Sequence, residues 1–543
     1  MVKVTLSKFS RDQSFKGRFA HHYGYNSEYF DVLCKYKDDW SDKLFFVNEQ
    51  MAKKYVELAK PIVTIMEEEL NLAELSVTEM TSDDIQLLFT NDIPMKITYG
   101  KETHEVNLTT MDNTVDLTKL VKRNALILSP GGHITSLKWL PQVLKQDTPK
   151  VNYLAVSIIN NPNGVGDSIL NPELSMYDGN TTDHKINSAI QIWKHDLNTN
   201  ELTLEHMLVT TNLGATCDLT WCPMYLEEGN VLGVLAASFT DGKLHLFRIT
   251  KNLPQYAKVD QTSLSYVSQQ SSEPQKSDPC TNIISFEFLG IDKILVGTTD
   301  GSIAEYILPF KRQEENIDDI SIPSYKTKIS DEPITSIVAA EYGTGEYIIL
   351  INTISPIVFS YDYNNYIQDF HTPISRSTLP PSYNHVLRTF TVTPTVDSVG
   401  YIFLRSPQET MHSLLKLDSY LTSNHASEIL GHPLNLSGTM SGQIIVLNYS
   451  RKILNGQKTT NRVLVPLQLW KFDEDEDKPG TVVLQADFGR MVVDTPVEMS
   501  IMPPELAISA LAWNENVHGS SIYAAGTVSG VLIIERLDPK YRK

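Results

Sequence analysis

The stretch VLAASFTDGKLHLFRI (234–249) is apolar as far as Phe239, turns polar at Thr240, Asp241 and Gly242, and then alternates apolar and polar residues to Ile249. This pattern predicts two antiparallel strands joined by a tight turn, because Gly reaches positive φ without steric cost. It recurs as KILVGTTDGSIAEYIL (293–308) and SIYAAGTVSGVLIIERL (521–537), with turns at Asp300 and Gly301 and at Ser529 and Gly530. A second element precedes each copy: ITSLKWLP (134–141), CDLTWCP (217–223), IISFEFLG (283–290) and ISALAWNE (508–515). All four alternate at period 2, and Trp139, Trp221 and Trp513 hold the same place, as expected of a strand presenting one face to a core. A weaker copy, ITSIVAAEYG (334–343), leads into YIILINTISPIVFSYDY (347–363).

The first unit is stretched. YLAVSI (153–158) is separated from AIQIWKHD (189–196) by a polar insertion rich in Asn, Asp and Gly, which should lie outside the core. Gly132 and His133 stand before its first strand and Trp193 closes its third, so the unit resembles a degenerate WD repeat with the Asp two residues late. Gly431 and His432 precede LNLSGTMSGQIIVLNY (434–449), and VLRTFTVTP, VGYIFLRSP and MHSLLKLD read as three more strands between Val386 and Leu417. Six repeats are clear and a seventh is expected. The reading is all-β: a WD40-like β-propeller of seven blades over residues 129–540, whose blades bury their faces on one another and whose closure protects strand edges. Long inserted loops are expected at 159–188, 252–282 and 310–333, and DEDED (473–477) is expected to be a solvated acidic run.

Residues 1–128 form an N-terminal mixed α/β accessory segment in this reading. NEQMAKKYVELAKPIVTIMEEEL (48–70) has helical spacing interrupted by Pro61, and from Thr81 to Leu128 the pattern turns to short strands.

Composition narrows the function classes. With 543 residues, 41% of them hydrophobic, the chain can bury a large core. No apolar run is long enough for a membrane span, and the first residues lack a secretory core, so no membrane role and an intracellular location are expected. Four scattered cysteines (Cys34, Cys217, Cys222 and Cys280) fit free thiols. A net charge of −19 repels nucleic acid, so any contact with DNA must be local or borrowed from a partner.

Candidate chemistry is sparse. No phosphate-binding loop, zinc-protease helix or nucleophile elbow is present. Cys217 and Cys222 are five apart on a strand, which puts them on opposite faces and argues against a shared metal. His21, His22, His133 and His432 read as packing residues, and the Trp series as core rather than a base-stacking platform. The basic clusters KLVKR (119–123) and KYRK (540–543) are small, and Lys119, Lys122 and Arg123 are the candidate nucleic-acid contacts. No catalytic, metal or cofactor-binding residue is expected, and no cofactor.

HHYGYNSEYFDVLCKYKDDW ahead of the propeller, followed by GGHITSLKWLP, AIQIWKHD, DLTWCP and the closing ISALAWNENVHGSSIYAAGTVSGVLIIERL, resembles the WD-repeat subunit of the RNA polymerase III transcription factor TFIIIC, the propeller of the fungal τB module. The likeness runs from about residue 20 to the end. It implies a non-enzymatic nuclear scaffold. Such a subunit pairs with a second propeller subunit and, with the largest subunit, recognises the B-box promoter element of tRNA genes. Related fungal proteins carry a longer basic N-terminal extension, whereas this chain begins almost at the matching part, so promoter DNA is expected to be held mainly through the complex. A WD-repeat adaptor of another complex, such as a ubiquitin-ligase receptor or trafficking scaffold, and a propeller hydrolase or lyase are the alternatives. A cluster of carboxylates and histidines in the channel would speak for the last of these.

Overall fold

A computed structural model describes residues 15–537 apart from 42–46, 48, 112–113, 145–149, 161–175, 177–185, 228, 269–280, 311–321, 344, 356–357, 370–378, 406–410, 455–463 and 492–502. Its antiparallel sheets follow one another along the chain. The first contains His133–Trp139, Val151–Asn160, Asn187–Asp196 and Glu201–Val209; the second Thr216–Trp221, Val231–Phe239, Leu244–Thr250 and Leu264–Tyr266. The third holds Ile283–Leu289, Lys293–Thr298, Ser302–Ile307 and Tyr325–Lys328; the fourth Ile334–Gly343, Glu346–Thr353, Val358–Asp362 and Ile367–Asp369; the fifth Ser382–Asn384, Thr389–Thr395, Ser398–Phe403 and His412–Lys416. An eight-stranded sheet starts with Leu421–Ala426, Leu434–Thr439, Gln443–Asn448 and Leu467–Glu474, and a closing sheet with Ile508–Trp513, Ile522–Thr527 and Leu532–Arg536. The first strand of each packs on the first strand of a neighbouring sheet, and Ile508–Trp513 packs on His133–Trp139, so the sheets form a β-propeller with these strands innermost.

The repeat has a physical signature that explains its regular spacing. In the first, second, third, fourth, eight-stranded and closing sheets the innermost strand is bulged near its start, between Ile134 and Ser136, Thr216 and Asp218, Ile283 and Ser285, Ile334 and Ser336, Leu421 and Ser423, and Ile508 and Ala510. A bulge bends the strand and re-aims the next side chains. Beside it, a fully buried Ile sits over a Gly in the second strand of the preceding sheet: Ile334 over Gly297, Ile508 over Gly438, and Ile134 over Gly526. A Cβ on any of these glycines would meet the isoleucine at 2.6 Å, so only Gly admits the contact. The hydroxyls of Ser285 and Ser423 lock two of these junctions by donating to the carbonyls of Ile334 (2.8 Å) and Ile508 (2.7 Å). At Asp241 and Gly242 the turn is tight as expected, with Gly242 at φ 80°.

The N-terminal residues wrap the propeller. Phe15–Tyr23 and Ser27–Ser41 are helices whose aromatic residues Phe19, Tyr36 and Trp40 are buried against the fifth and eight-stranded sheets. Val63–Ile65 pairs in parallel with Met224–Leu226. Ser76–Glu79 extends the first sheet beyond Tyr256–Gln261, and Ile93–Tyr99 and Glu102–Leu108 extend the eight-stranded sheet through a parallel pairing with Val482–Gln485. Ala125–Leu128 pairs with Leu532–Arg536, so a strand from before the propeller completes the closing sheet.

Several expectations need correction. The stretch 48–70 is a helix only over Glu49–Lys54, followed by two short 3-10 turns and a strand, because Pro61 and the run that follows leave no continuous helical face. The stretches 252–282 and 310–333 are not wholly inserted loops, since Tyr256–Gln261, Leu264–Tyr266 and Tyr325–Lys328 are strands. The acidic run 473–477 is exposed at Glu474, Glu476 and Asp477 as expected, but its first two residues end a strand, and Asp475 is buried and forms an ion pair with Lys96. Gly132 and Gly431 are not equivalent: the first precedes an innermost strand, the second a second strand, so the two Gly-His pairs lie at opposite ends of their sheets.

Candidate functional site

Innermost strands of a propeller run side by side in one direction, so their C-terminal ends gather at one mouth of the channel. There the chain places a set of charges. Lys138, next to Trp139, pairs with Glu428 at 3.5 Å. Deeper in the channel, beside the bulge near the start of Thr216–Trp221, Asp218 accepts from the Ser136 hydroxyl at 3.3 Å and from the Leu219 N–H at 2.8 Å. Glu287, His425 and Lys60 complete the group, the charges of Lys60, Glu428, Lys138 and Asp218 all acting on Glu287.

The electrostatics are uneven. Burial pushes Glu287 up to about 7, more than its lysine neighbours pull it down. Burial also raises Asp218, with Lys138 opposing. For Glu428 burial opposes ionisation, but Lys138, His425 and Lys60 outweigh it and hold the carboxyl below its ordinary value. Burial opposes the Lys138 charge too, and Glu428, Asp218 and Glu287 prevail and raise it. Burial lowers His425 and His385 to about 4 and keeps both neutral at pH 7. Behind the mouth, burial pushes Glu515 up to about 7 although it accepts from the Ser427 hydroxyl (2.9 Å) and the N–H groups of Glu428 (2.8 Å) and Leu430 (2.9 Å).

The N-terminal chain crosses this mouth as a strap. Lys60 N–H donates to the Ile429 carbonyl (2.9 Å) in the loop before Leu434–Thr439, and Val63 N–H to that of Pro223 (3.4 Å). Glu67 then accepts from Asn230 N–H (2.8 Å) and from the Arg248 guanidinium (3.0 Å), whose other arm donates to the Leu72 carbonyl (3.0 Å). Burial opposes the Glu67 charge, but these donors hold its carboxyl below the ordinary value. Ile65, Leu70 and Leu72 are buried with Met224, Phe288 and Phe310, so the strap is packed as well as hydrogen bonded. The carboxylates and histidines at the mouth are the feature that keeps the propeller-enzyme alternative open; the strap crosses the same mouth.

The residues singled out from sequence fall elsewhere. Lys119 and Lys122 are exposed, Lys122 with φ 57° at the end of the short helix Thr118–Val121. Arg123 is buried. Its guanidinium donates to Glu535 (2.9 and 2.7 Å), to the carbonyls of Ala486 (3.0 Å) and Leu469, and lies 3.5 Å over the Trp470 ring. Glu535 also accepts from Tyr523 O–H (2.6 Å) and Trp470 N–H (2.8 Å). The structure therefore does not bring Arg123 together with the two lysines on the surface; it fastens the N-terminal segment to the closing and eight-stranded sheets. Trp139, Trp221 and Trp513 are buried as a core series, as are His133 and His432. His22 stacks on Phe403 at 3.7 Å. Cys34, Cys217 and Cys222 are free thiols; Cys280 and the tail 540–543 lie outside the described residues. Among the described residues no group of His, Cys, Asp and Glu is placed to hold a metal ion, and no helix is long and apolar enough to cross a membrane.

Lys60, Lys138, Asp218, Glu287 and Glu428 were not singled out from sequence. A signal existed for two of them: Lys138 and Glu287 occupy the same position, just before the aromatic residue, in aligned innermost strands.

No family model matches the chain. It is 24% identical over 430 residues to the transcription factor tau 91 kDa subunit of Saccharomyces cerevisiae, covering 77% of this chain and 58% of that protein. It is 22% identical over 363 residues to transcription factor tau subunit sfc6 of Schizosaccharomyces pombe, covering 66% of this chain and 58% of that protein. The chain thus spans less than two thirds of the curated relatives it matches. Both are named as subunits of transcription factor tau, and the resemblance to a subunit of that factor is borne out.

Proposed function

We propose that this chain is a non-catalytic scaffold subunit of TFIIIC, acting in the nucleus in RNA polymerase III transcription of tRNA genes. The observation that carries the reading is the similarity to the tau 91 kDa subunit along 77% of the chain. In this reading it pairs with a second propeller subunit and supports recognition of the B-box by the largest subunit. Residues 129–540 form a seven-bladed propeller, and residues 1–128 are an accessory segment that braces it. Lys119 and Lys122 are the candidate phosphate contacts, while promoter DNA is held mainly through the complex, as the net charge of −19 favours.

Chromatin immunoprecipitation of the tagged protein tests this. Occupancy at tRNA genes that falls when the B-box is mutated is the expected result; uniform background occupancy contradicts it. A second reading, a propeller hydrolase or lyase, draws on Glu287 and Glu428 at the channel mouth and Asp218 below them. It requires a substrate path past the strap at 60–72. The strap's pairing with Met224–Leu226 and its anchor at Glu67 favour the scaffold.

A further inference from the structure

The propeller ring closes where the closing sheet packs on the first, and the mouth end of that junction is polar. Leu532 and Ile534 are buried there with Trp139, Leu154 and Trp193. Arg536 follows Ile534 by two residues and pairs with Ile522, so it shares the face turned to the first sheet, while Glu535 faces the other way, towards Arg123. On the first sheet Asn152 and His195 are register partners, two residues beyond the partners Leu154 and Trp193 and on the same face. The Trp139 ring lies 6.2 Å from the His195 ring, and the Arg536 charge acts on His195.

Each of these polar side chains carries a buried nitrogen with no hydrogen-bond partner among the described residues: Arg536 Nε, Asn152 Nδ2, Trp139 Nε1 and His195 Nδ1. Asn152 is 0% exposed, His195 1% and Trp139 6%. Other polar atoms of the same groups are engaged, and this fixes what the free ones can do. Asn152 Oδ1 accepts from Asn516 Nδ2 (2.6 Å). His195 Nε2 lies 3.1 Å from Asn200 Oδ1, whose Nδ2 donates to Asn124 Oδ1 (3.2 Å), so Nε2 carries the ring proton and Nδ1 is an acceptor. Burial, with Arg536 adding to it, lowers His195 and keeps the ring neutral at pH 7. Buried polar atoms are nearly always satisfied, so donors and an acceptor left over at one junction call for a small polar partner.

Charge selects its kind. Among the described residues no carboxylate lies within ion-pair distance of half-buried Arg536, whose Nη2 donates to the His518 carbonyl (3.4 Å). Neighbouring acids are engaged: Glu49 by His518 (2.8 Å) and Lys53 (2.7 Å), and Asp196 by the Asn198 N–H (2.8 Å). An uncompensated guanidinium beside unmet donors favours an anion over water, and the lone pair of His195 Nδ1 favours an anion that also carries an O–H.

From this juxtaposition we infer that the junction holds a small protonated oxyanion, hydrogen phosphate, which pins the closing sheet to the first. Its oxygens accept from Arg536 Nε, Asn152 Nδ2 and Trp139 Nε1, and its O–H donates to His195 Nδ1. Side chains this buried admit an ion and not a polypeptide. The inference does not depend on membership of TFIIIC.

Isothermal titration calorimetry of the purified full chain with inorganic phosphate, in chloride at constant ionic strength, tests it. Saturable binding is expected, weakened about tenfold in Arg536→Gln and unchanged in Lys243→Gln, which removes an exposed charge elsewhere. Sulfate, with no O–H for His195, is expected to bind less tightly. Absence of saturable binding would mean that water completes the donors and would overturn the proposal; so would equal losses in the two variants, or sulfate binding as tightly as phosphate. Arsenate soaked into crystals of the wild-type chain, located by anomalous scattering, gives a test free of any folding defect in Arg536→Gln. A peak between Arg536 and Asn152 is expected, and its absence would overturn the inference.

Discussion

Replacing Arg123 with Met removes a buried cation from a network that joins three parts of the chain. Arg123 and Glu535 are 8% and 5% exposed, and the guanidinium also satisfies the carbonyls of Leu469 and Ala486. Without it Glu535 remains buried, supported only by Tyr523 O–H and Trp470 N–H. Breaking one partner of a buried pair costs about 3–5 kcal/mol. Two neutral donors remain on the carboxylate, so the lower end, about 3 kcal/mol, is expected. In Arg123→Met/Glu535→Leu the stranded charge is gone, and Tyr523 and Trp470 still bond each other at 2.9 Å. Part of the loss should then be recovered, leaving about 2 kcal/mol for the two orphaned carbonyls, about 1 kcal/mol each. Urea unfolding of both single variants and the double variant measures the coupling, and limited proteolysis reports release of the N-terminal segment. Additive effects of the two substitutions would refute this reasoning. So would an Arg123→Met protein of wild-type stability that has lost affinity for DNA, because Arg123 would then act on phosphate.

Three further outcomes follow from the same geometry. Gly526→Val should destabilise the junction between the closing and first sheets by about 1–3 kcal/mol, since its Cβ would meet Ile134 at 2.6 Å, and a lower urea midpoint checks it. Burial lowers His385 and His425 to about 4 and His432 to about 3, so their stabilisation is lost as pH falls from 6.5; Glu287 and Glu515, raised to about 7, lose theirs as pH rises from 4.5. With three histidines against two carboxylates, the wild type should lose about 1.4 kcal/mol per pH unit on acidification between pH 6.5 and 4.5, and Glu287→Gln about twice that, read from unfolding midpoints at pH 5 and 6. Lys119→Ser/Lys122→Ser should make promoter binding by the assembled complex less sensitive to salt, the log–log slope falling by about 0.9 for each phosphate that a lysine no longer neutralises. An unchanged slope would remove both lysines from the DNA.

The propeller was legible because its strands advertise themselves locally. A period-2 run, a Gly-containing turn and a second run lie within about sixteen residues, and Trp139, Trp221 and Trp513 mark the register. Outer strands such as Leu264–Tyr266 and Ile367–Asp369 were missed since three residues carry no measurable period. The wrapping of the N-terminal segment was not legible either. Val63–Ile65, Ser76–Glu79 and Ile93–Tyr99 pair with strands more than 150 residues away, and no local pattern encodes such a partner. Arg123 looked like a surface cation in KLVKR, whereas its neighbour Ala125 begins a buried strand and draws it inward. The channel charges escaped for a related reason: each is a single residue in a different repeat, and only the closed ring brings Lys138, Asp218, Glu287 and Glu428 together.

The central claim is that the chain holds other TFIIIC subunits together, and affinity purification of the endogenously tagged protein from nuclei, with quantitative mass spectrometry, tests it most directly. Recovery of the remaining TFIIIC subunits in stoichiometric amounts, including a second propeller and the largest subunit, is the predicted result. Recovery of the chain alone, or with a ubiquitin ligase or trafficking coat and no polymerase III factor, would contradict it.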